Sequence, residues 1–279
     1  MLKQLPGGFG LSIETVYDPG AGITNFFPEF NKFRKGSYGM DKSWQTRTEL
    51  VLGANNLEIL SNAHVLVAGL GGVGSYAAEQ LVRAGIGQLT IADGDTVHNT
   101  NRNRQLPALL STIGKRKTAV MAERLLDINP SLKLHIADHY LKDQTLLDIL
   151  APGYDFVVDA IDTLAPKVYL IYHSQRMGLP LVSSMGAGGK YDPLQIKAVD
   201  IAETNNCRLA YYIRKKLHKL DVWTGFTAVY SPETVSRSAV KAESGEFNKR
   251  STVGTISYMP AMFGCVCASV VIRKLTGLP

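Results

Sequence analysis

Cysteine is scarce in this chain of 279 residues: there are three, Cys207, Cys265 and Cys267. Three thiols are too few for a disulfide framework, which points to a reducing, cytoplasmic setting. Cys265 and Cys267 have a single residue between them, so the paired CxxC spacing of a structural zinc site is missing and no zinc is expected. No histidine stands close to Cys207 in the sequence, which favours an inert thiol over a thioester-forming nucleophile. The chain also has no N-terminal run joining basic residues to an apolar core, so no secretory signal is expected. Repeats and low-complexity tracts are missing too. Charge is moderate, at 19% of residues with a net +6, which permits an anionic partner without requiring one.

What is present is ordered around residues 62–83, NAHVLVAGLGGVGSYAAEQLVR. His64 to Leu70 reads as a buried strand. Gly69, Gly71, Gly72 and Gly74 follow as GxGGxG, and Tyr76, Ala77, Gln80 and Leu81 then repeat at helical spacing. Strand, glycine turn and helix form the first unit of a nucleotide-binding α/β fold, with backbone N–H groups and a helix N-terminus facing a phosphate. The bland alternative is a tight turn that only packs helix on strand.

Residues 1–39 differ from the rest, being rich in Gly, Pro and Phe without periodicity; they are expected to form a mobile extension ahead of one domain over 40–279. A helical pattern spans Trp44 to Leu60. Beyond the glycine helix, strands are expected at Gln88 to Ala92, Leu132 to Ala137, Tyr154 to Ile161 and Leu179 to Ser183, with helices between them. Alternation of this length predicts a Rossmann-like, mainly parallel sheet with helices on both faces. After Gly189 the pattern changes to a C-terminal extension: strands near 195–201 and 226–230, a basic helix over 209–220, a charged loop over 243–252 and an apolar helix over 259–275. That last helix nears the length of a membrane span, but Pro260, Gly264 and its many small residues suit close packing in a core or dimer contact, so no stable membrane association is expected.

The chemistry sits at the ends of the expected strands. Asp93 lies 19 residues past Gly74, where a carboxylate can meet ribose hydroxyls, unless it only shapes a turn. Asn101, Arg104 and Gln105 form NxxRQ, Gly114 and Lys117 form GxxK, and Asp162 ends the strand in DAIDT. Two cations for polyphosphate and one acid for Mg2+, around one nucleotide, equip a site to activate a carboxylate with ATP. Hydride transfer has no use for that cluster. The turn Ser184 to Gly189 can cradle an anion or, through its carbonyls, a monovalent cation, or can simply bend the chain. Arg214, Lys215, Lys216 and Lys219, beside Tyr211 and Tyr212, suit a nucleic-acid backbone with base stacking or, as plainly, a solvated helix face.

Taken together, GxGGxG at 69–74, Asp93, NxxRQ, GxxK and DAID resemble the ThiF/MoeB/HesA family of ubiquitin-activating-enzyme-like adenylyltransferases over about residues 44–275. The resemblance implies that the glycines, Asp93, Asn101, Arg104, Lys117 and Asp162 bind ATP and Mg2+, with Arg104 and Lys117 at the phosphates and Asp162 on the metal. It implies a homodimer in which Arg47 reaches the partner subunit's site. The missing CxxC pairs, with DAIDTLAPK, LVSSMGAGGKYDP, KRSTVGTISYMPA and FGC, look like the tRNA threonylcarbamoyladenosine dehydratase branch. Members of that branch use ATP to cyclise threonylcarbamoyladenosine beside the anticodon, with loss of water. A protein-tail adenylyltransferase and a non-catalytic dinucleotide-binding module are the competing readings.

Overall fold

A computed structural model describes residues 43–242 and 251–279, so the expected extension at 1–39 and most of the charged loop lie outside the described residues. The parallel sheet forms where the apolar runs stand. β1 (His64–Ala68), β2 (Gln88–Ala92), β3 (Lys133–Ala137), β4 (Phe156–Asp159) and β5 (Leu181–Ser184) alternate with α3 (Gly74–Ala84), α4 (Lys117–Ile128), α5 (Asp143–Leu150) and α6 (Leu164–Arg176). The strands of the extension join the same sheet: β7 (Thr227–Tyr230) runs parallel to β5, and β6 (Lys197–Asp200) closes the edge antiparallel to β7. The order is β3-β2-β1-β4-β5-β7-β6. β1 is central and β4 lies beside it across a switch in strand order, so the turns after both open at one edge, where α/β sheets bind ligands.

Two apolar clusters sandwich the sheet. One holds Val65, Val67, Leu81, Ile91 and Phe263; the other holds Leu66, Val157, Leu170 and Ile213. The alternation of Val65 and Leu66 between them is the period-two signature of a strand buried on both faces. The apolar C-terminal helix, here Tyr258–Thr276, lies in the first cluster through Met259, Phe263, Cys267 and Val271.

The single helix expected over 44–60 is two. α1 (Thr46–Leu52) and α2 (Ala54–Asn62) are separated by Gly53, whose φ of 81° and ψ of 157° leave helical space. The apolar positions of α1 are not core either: Leu50 and Val51 are 83% and 82% exposed. Within the expected charged loop, Ser251–Val253 (β9) pairs antiparallel with Val240–Ala242 (β8). The basic helix is α7 (Arg208–Leu217), and the apolar C-terminal helix is α8.

Candidate active site

The glycine turn is shaped by contact. A Cβ on Gly74 would lie 1.8 Å from the Gly69 carbonyl oxygen and 3.0 Å from Ala160 Cβ, so any side chain there would drive α3 away from β1 and β4. Gly69 N–H donates to Ala92 O at 2.7 Å, which ties the turn to the end of β2. Asp93, the next residue, accepts from Leu70 N–H at 2.6 Å and from Asp95 N–H at 2.7 Å. Burial raises the Asp93 carboxyl above its ordinary range, with Lys117 and the two N–H bonds opposing that shift. An ionised carboxylate has about four acceptor positions, so two remain for ribose hydroxyls.

Lys117 is the first residue of α4 and is nearly enclosed, with 5% of its side chain exposed. Its ammonium pairs with Asp95 at 2.8 Å. The other expected cation comes from the loop after β2. Asn101 is buried, and its Oδ1 accepts from His98 N–H at 3.0 Å, closing the turn that presents Arg104. The Arg104 side chain lies against Gly72, where an added Cβ would sit 3.4 Å from its Cγ. Burial holds its guanidinium below its usual value, and the charge of Asp162 works against that. Arg104 donates to Thr100 O at 3.1 Å and Asn103 Oδ1 at 2.9 Å, while Asn103 Nδ2 donates to Thr255 O at 2.9 Å. Gln105 is buried beside Gly71, and its Oε1 has no partner among the described residues.

Asp162 is exposed at the end of the β4 turn. Beneath it lies a pair that the sequence did not announce. Lys167 and Asp159 are both fully buried and 2.8 Å apart. Lys167 Nζ also donates to Ile161 O at 3.0 Å and Asp159 O at 3.3 Å, and Ser183 Oγ donates to Asp159 Oδ2 at 2.6 Å. The residue directly before Asp162 is therefore fastened from below. Lys167 stands in DAIDTLAPK, but only packing shows that its place on α6 faces the sheet.

The glycine turn thus meets Asp93 through Leu70 and Arg104 through Gly72, with the charge of Lys117 acting on Asp93 and that of Asp162 on Arg104. Arg47 is elsewhere. With Val51, Gln80, Arg83, Cys265 and Ile272 it lines a groove of about 500 Å³ between α1, α3 and α8. Gln80 and Arg83 belong to the later turns of α3, roughly 9–14 Å along the helix from Gly74 at 1.5 Å per residue. Arg47 is therefore remote from its own chain's glycine turn.

The basic helix divides. Arg214 turns inward, its Nη1 donating to Thr204 O at 2.9 Å and to Thr204 Oγ1, so it fastens the chain after β6. Lys215, Lys216 and Lys219 are exposed, as are Tyr211 and Tyr212. In the turn Ser184 to Gly189, Val253 and Val235 press on Gly188 and Gly189, and Gly189 N–H is spent on Gly254 O at 2.7 Å. Its glycines answer to packing. Cys207 is buried at the start of α7.

Among known proteins, the tRNA threonylcarbamoyladenosine dehydratase of Bacillus subtilis (strain 168) is 36% identical over 237 residues, which is 82% of this chain and 93% of that protein. The protein of the same name from Escherichia coli (strain K12) is 37% identical over 254 residues, covering 84% of this chain and 94% of its own. The crystal structure of E. coli tRNA N6-threonylcarbamoyladenosine dehydratase in complex with ATP superposes with a TM-score of 0.76 at 35% identity, covering 85% of this chain and 96% of that one. Residues 43–279 match the ThiF family over their full span, and the chain belongs to that family.

Proposed function

We propose that this protein is an ATP-dependent tRNA threonylcarbamoyladenosine dehydratase. The observation that carries the reading is a pair of cations at the end of the sheet, Lys117 nearly enclosed and Arg104 half-buried against Gly72 of the glycine turn, which is equipment for phosphate charge. In the proposed reaction the threonyl carboxylate attacks the α-phosphorus of ATP, the α–β anhydride bond breaks, and pyrophosphate leaves. The carbamoyl group of the same side chain then attacks the acyl carbon and AMP departs with one carboxylate oxygen. The substrate thereby loses the elements of water. Lys117 and Arg104 stabilise the charge that builds on the leaving pyrophosphate, and Asp93 holds the ribose. A protein-tail substrate is the weaker reading, since the relatives matched along the whole chain carry the tRNA-modifying name.

Mg2+ fits the donor set as an ion that arrives with the nucleotide. Among the described residues no cluster of three or more His, Cys, Asp or Glu stands ready for a metal, and Mg2+ commonly takes one or two carboxylates plus substrate phosphates. Asp162 would supply the carboxylate, and the ion would neutralise phosphate charge. The cytoplasm, where tRNA is modified, is the proposed setting.

The active form is proposed to be a homodimer. α1 has no buried residue, its Leu50 and Val51 are both exposed, and Val51 and Leu52 line the groove that holds Arg47. A second copy seated there would cover this apolar surface and carry Arg47 towards the other site. The tRNA is proposed to meet Lys215, Lys216 and Lys219; Arg214 is already committed to Thr204 and drops out of that set.

The test is direct. Enzyme, ATP, Mg2+ and tRNA carrying threonylcarbamoyladenosine should release pyrophosphate and yield a nucleoside lighter by one water. Unchanged nucleoside in a fully folded preparation sinks the assignment. Arg104→Ala should cut turnover on the order of 100-fold, the loss typical for one charge-stabilising donor. Arg47→Ala mixed with Lys117→Ala should recover activity that neither variant has alone.

A further inference from the structure

Lys117 does not stand alone at the sheet edge. Besides the 2.8 Å contact between its ammonium and Asp95 Oδ2, its backbone N–H donates to Asp95 O at 3.1 Å. Asp95 is itself fixed from two directions. Its N–H donates to Asp93 Oδ1 at 2.7 Å, and the Tyr140 hydroxyl, from the chain just after β3, donates to Asp95 Oδ1. Arg116, directly before Lys117, fastens the same corner by donating to both Asp138 carboxylate oxygens, at 2.9 and 2.8 Å, and to Gly94 O at 2.8 Å. A lysine with so little water around it needs an anion within reach to remain charged and aimed. An ammonium has three donors, so it can keep one bond to Asp95 and give the others to phosphate oxygens.

We propose that Asp95 and Tyr140 are positioning residues for the phosphate-binding Lys117: the tyrosine hydroxyl orients the carboxylate, and the carboxylate holds the ammonium where the triphosphate will meet it. The proposal rests on the reading of Lys117 as a phosphate ligand. Neither residue touches ATP; both act through the lysine. Their removal therefore weakens the step in which charge builds on pyrophosphate more than it weakens nucleotide capture, for which the glycine turn and Asp93 remain.

The two side chains contribute differently. Asp95→Asn keeps the shape and removes the charge. The Lys117 ammonium then loses its 2.8 Å ion pair, and the nearby charges that remain are those of Asp93, Asp138 and Arg116. Tyr140→Phe leaves the carboxylate charged and frees its orientation. The Tyr140 hydroxyl is pushed up to about 12, chiefly by its bond to Asp95, so it stays a neutral donor throughout the working range.

The experiment compares wild type, Asp95→Asn and Tyr140→Phe in pyrophosphate release with substrate tRNA, with ATP affinity measured by calorimetry. Asp95→Asn is expected to lower kcat on the order of tenfold, as for loss of one charge-assisted hydrogen bond, with ATP affinity changed less than about threefold. Tyr140→Phe should lower kcat by about threefold, within the range of a neutral hydrogen bond. An Asp95→Asn enzyme with wild-type kcat overturns the proposal, as does a loss confined to ATP affinity. If Asp95→Asn does not fold, Tyr140→Phe decides, and an unchanged kcat there overturns the proposal. A folded wild type that releases no pyrophosphate instead overturns the proposed activity on which this rests.

Discussion

Replacing Lys167 with methionine should unsettle the protein more than any other single change at its lysines. Both Lys167 and Asp159 are wholly enclosed, so the substitution strands the Asp159 carboxylate in the interior with only the Ser183 hydroxyl and the Ile161 N–H as donors. The carbonyls of Asp159 and Ile161 lose a donor as well. Breaking a buried pair from one side costs about 3–5 kcal/mol, because the desolvation of the remaining charge is no longer offset. For a domain of this size each kcal/mol moves the midpoint by about 2–4 °C, so Tm should fall by roughly 6–20 °C. Urea titration gives the free energy and calorimetry the midpoint. The control is Lys167→Met combined with Asp159→Asn, which removes the stranded charge and should recover a substantial part of the loss. Since Lys167 also holds the carbonyl before Asp162, turnover should drop in the single variant even well below its melting point. A single variant that loses less than about 1 kcal/mol would refute the reasoning, because a surface pair is worth that much.

Three further outcomes follow from other contacts. Gly74→Ala should fail to bind ATP and should melt early, since its methyl would lie 1.8 Å from the Gly69 carbonyl; ATP affinity near wild type would contradict the turn geometry. Burial works to raise the Glu79 carboxyl, but Arg124 and Arg83 overcome it and leave it below the ordinary glutamate range. Its contribution is thus present above the unfolded value, about 4.3, and lost as pH falls through the folded one. The stability gap between wild type and Glu79→Gln should be full at neutral pH and close in acid, and a gap that widens in acid would be the wrong sign. Among the cysteines, burial pushes Cys267 up to about 12, while Cys265 is half-buried in the Arg47 groove. At dilutions where the proposed dimer is apart and the groove open, a thiol-alkylating reagent should therefore modify Cys265 before Cys267, read by mass spectrometry, and equal rates at Cys267 would show a looser core.

Where one short stretch carries both the pattern and its cause, the sequence was enough. The strand at His64, the glycine turn and the C-cap at Gly85, left-handed with a φ of 103°, follow from local chemistry. The place of Asp93 at the end of β2, beside the glycine turn, was legible for the same reason, since its distance from Gly74 is set by one helix and one strand. Positions fixed by residues far away in the chain were not. Tyr140 reaches Asp95 across 45 residues, and Asn103 reaches Thr255 across 152. Lys167 reads as an ordinary helix lysine until α6 is laid on the sheet. Arg214 sits in a row of cations, yet its helical phase turns it towards Thr204 while its neighbours face water. The error at 44–60 has a simpler source. One glycine inside an apolar pattern is often tolerated in a helix, and nothing local says that Gly53 takes an extended ψ.

The placement of α8 bears on how the protein is made. Pro260 packs against Gly72, and Gly264 against Val73 and Tyr76, partners that are 188 to 191 residues apart in the chain. During synthesis, which proceeds from the N-terminus, the nucleotide turn emerges early but lacks one wall until α8 follows. A nascent chain therefore keeps the face of α3 uncovered through most of its translation, a long wait for an apolar surface and a reason for chaperone engagement. Closing so distant a contact is also slow, since the loop between the partners must be ordered first. Chains terminated before Tyr258 would present the glycine sequence without the packing that shapes it, so capture on immobilised ATP would separate finished molecules from unfinished ones.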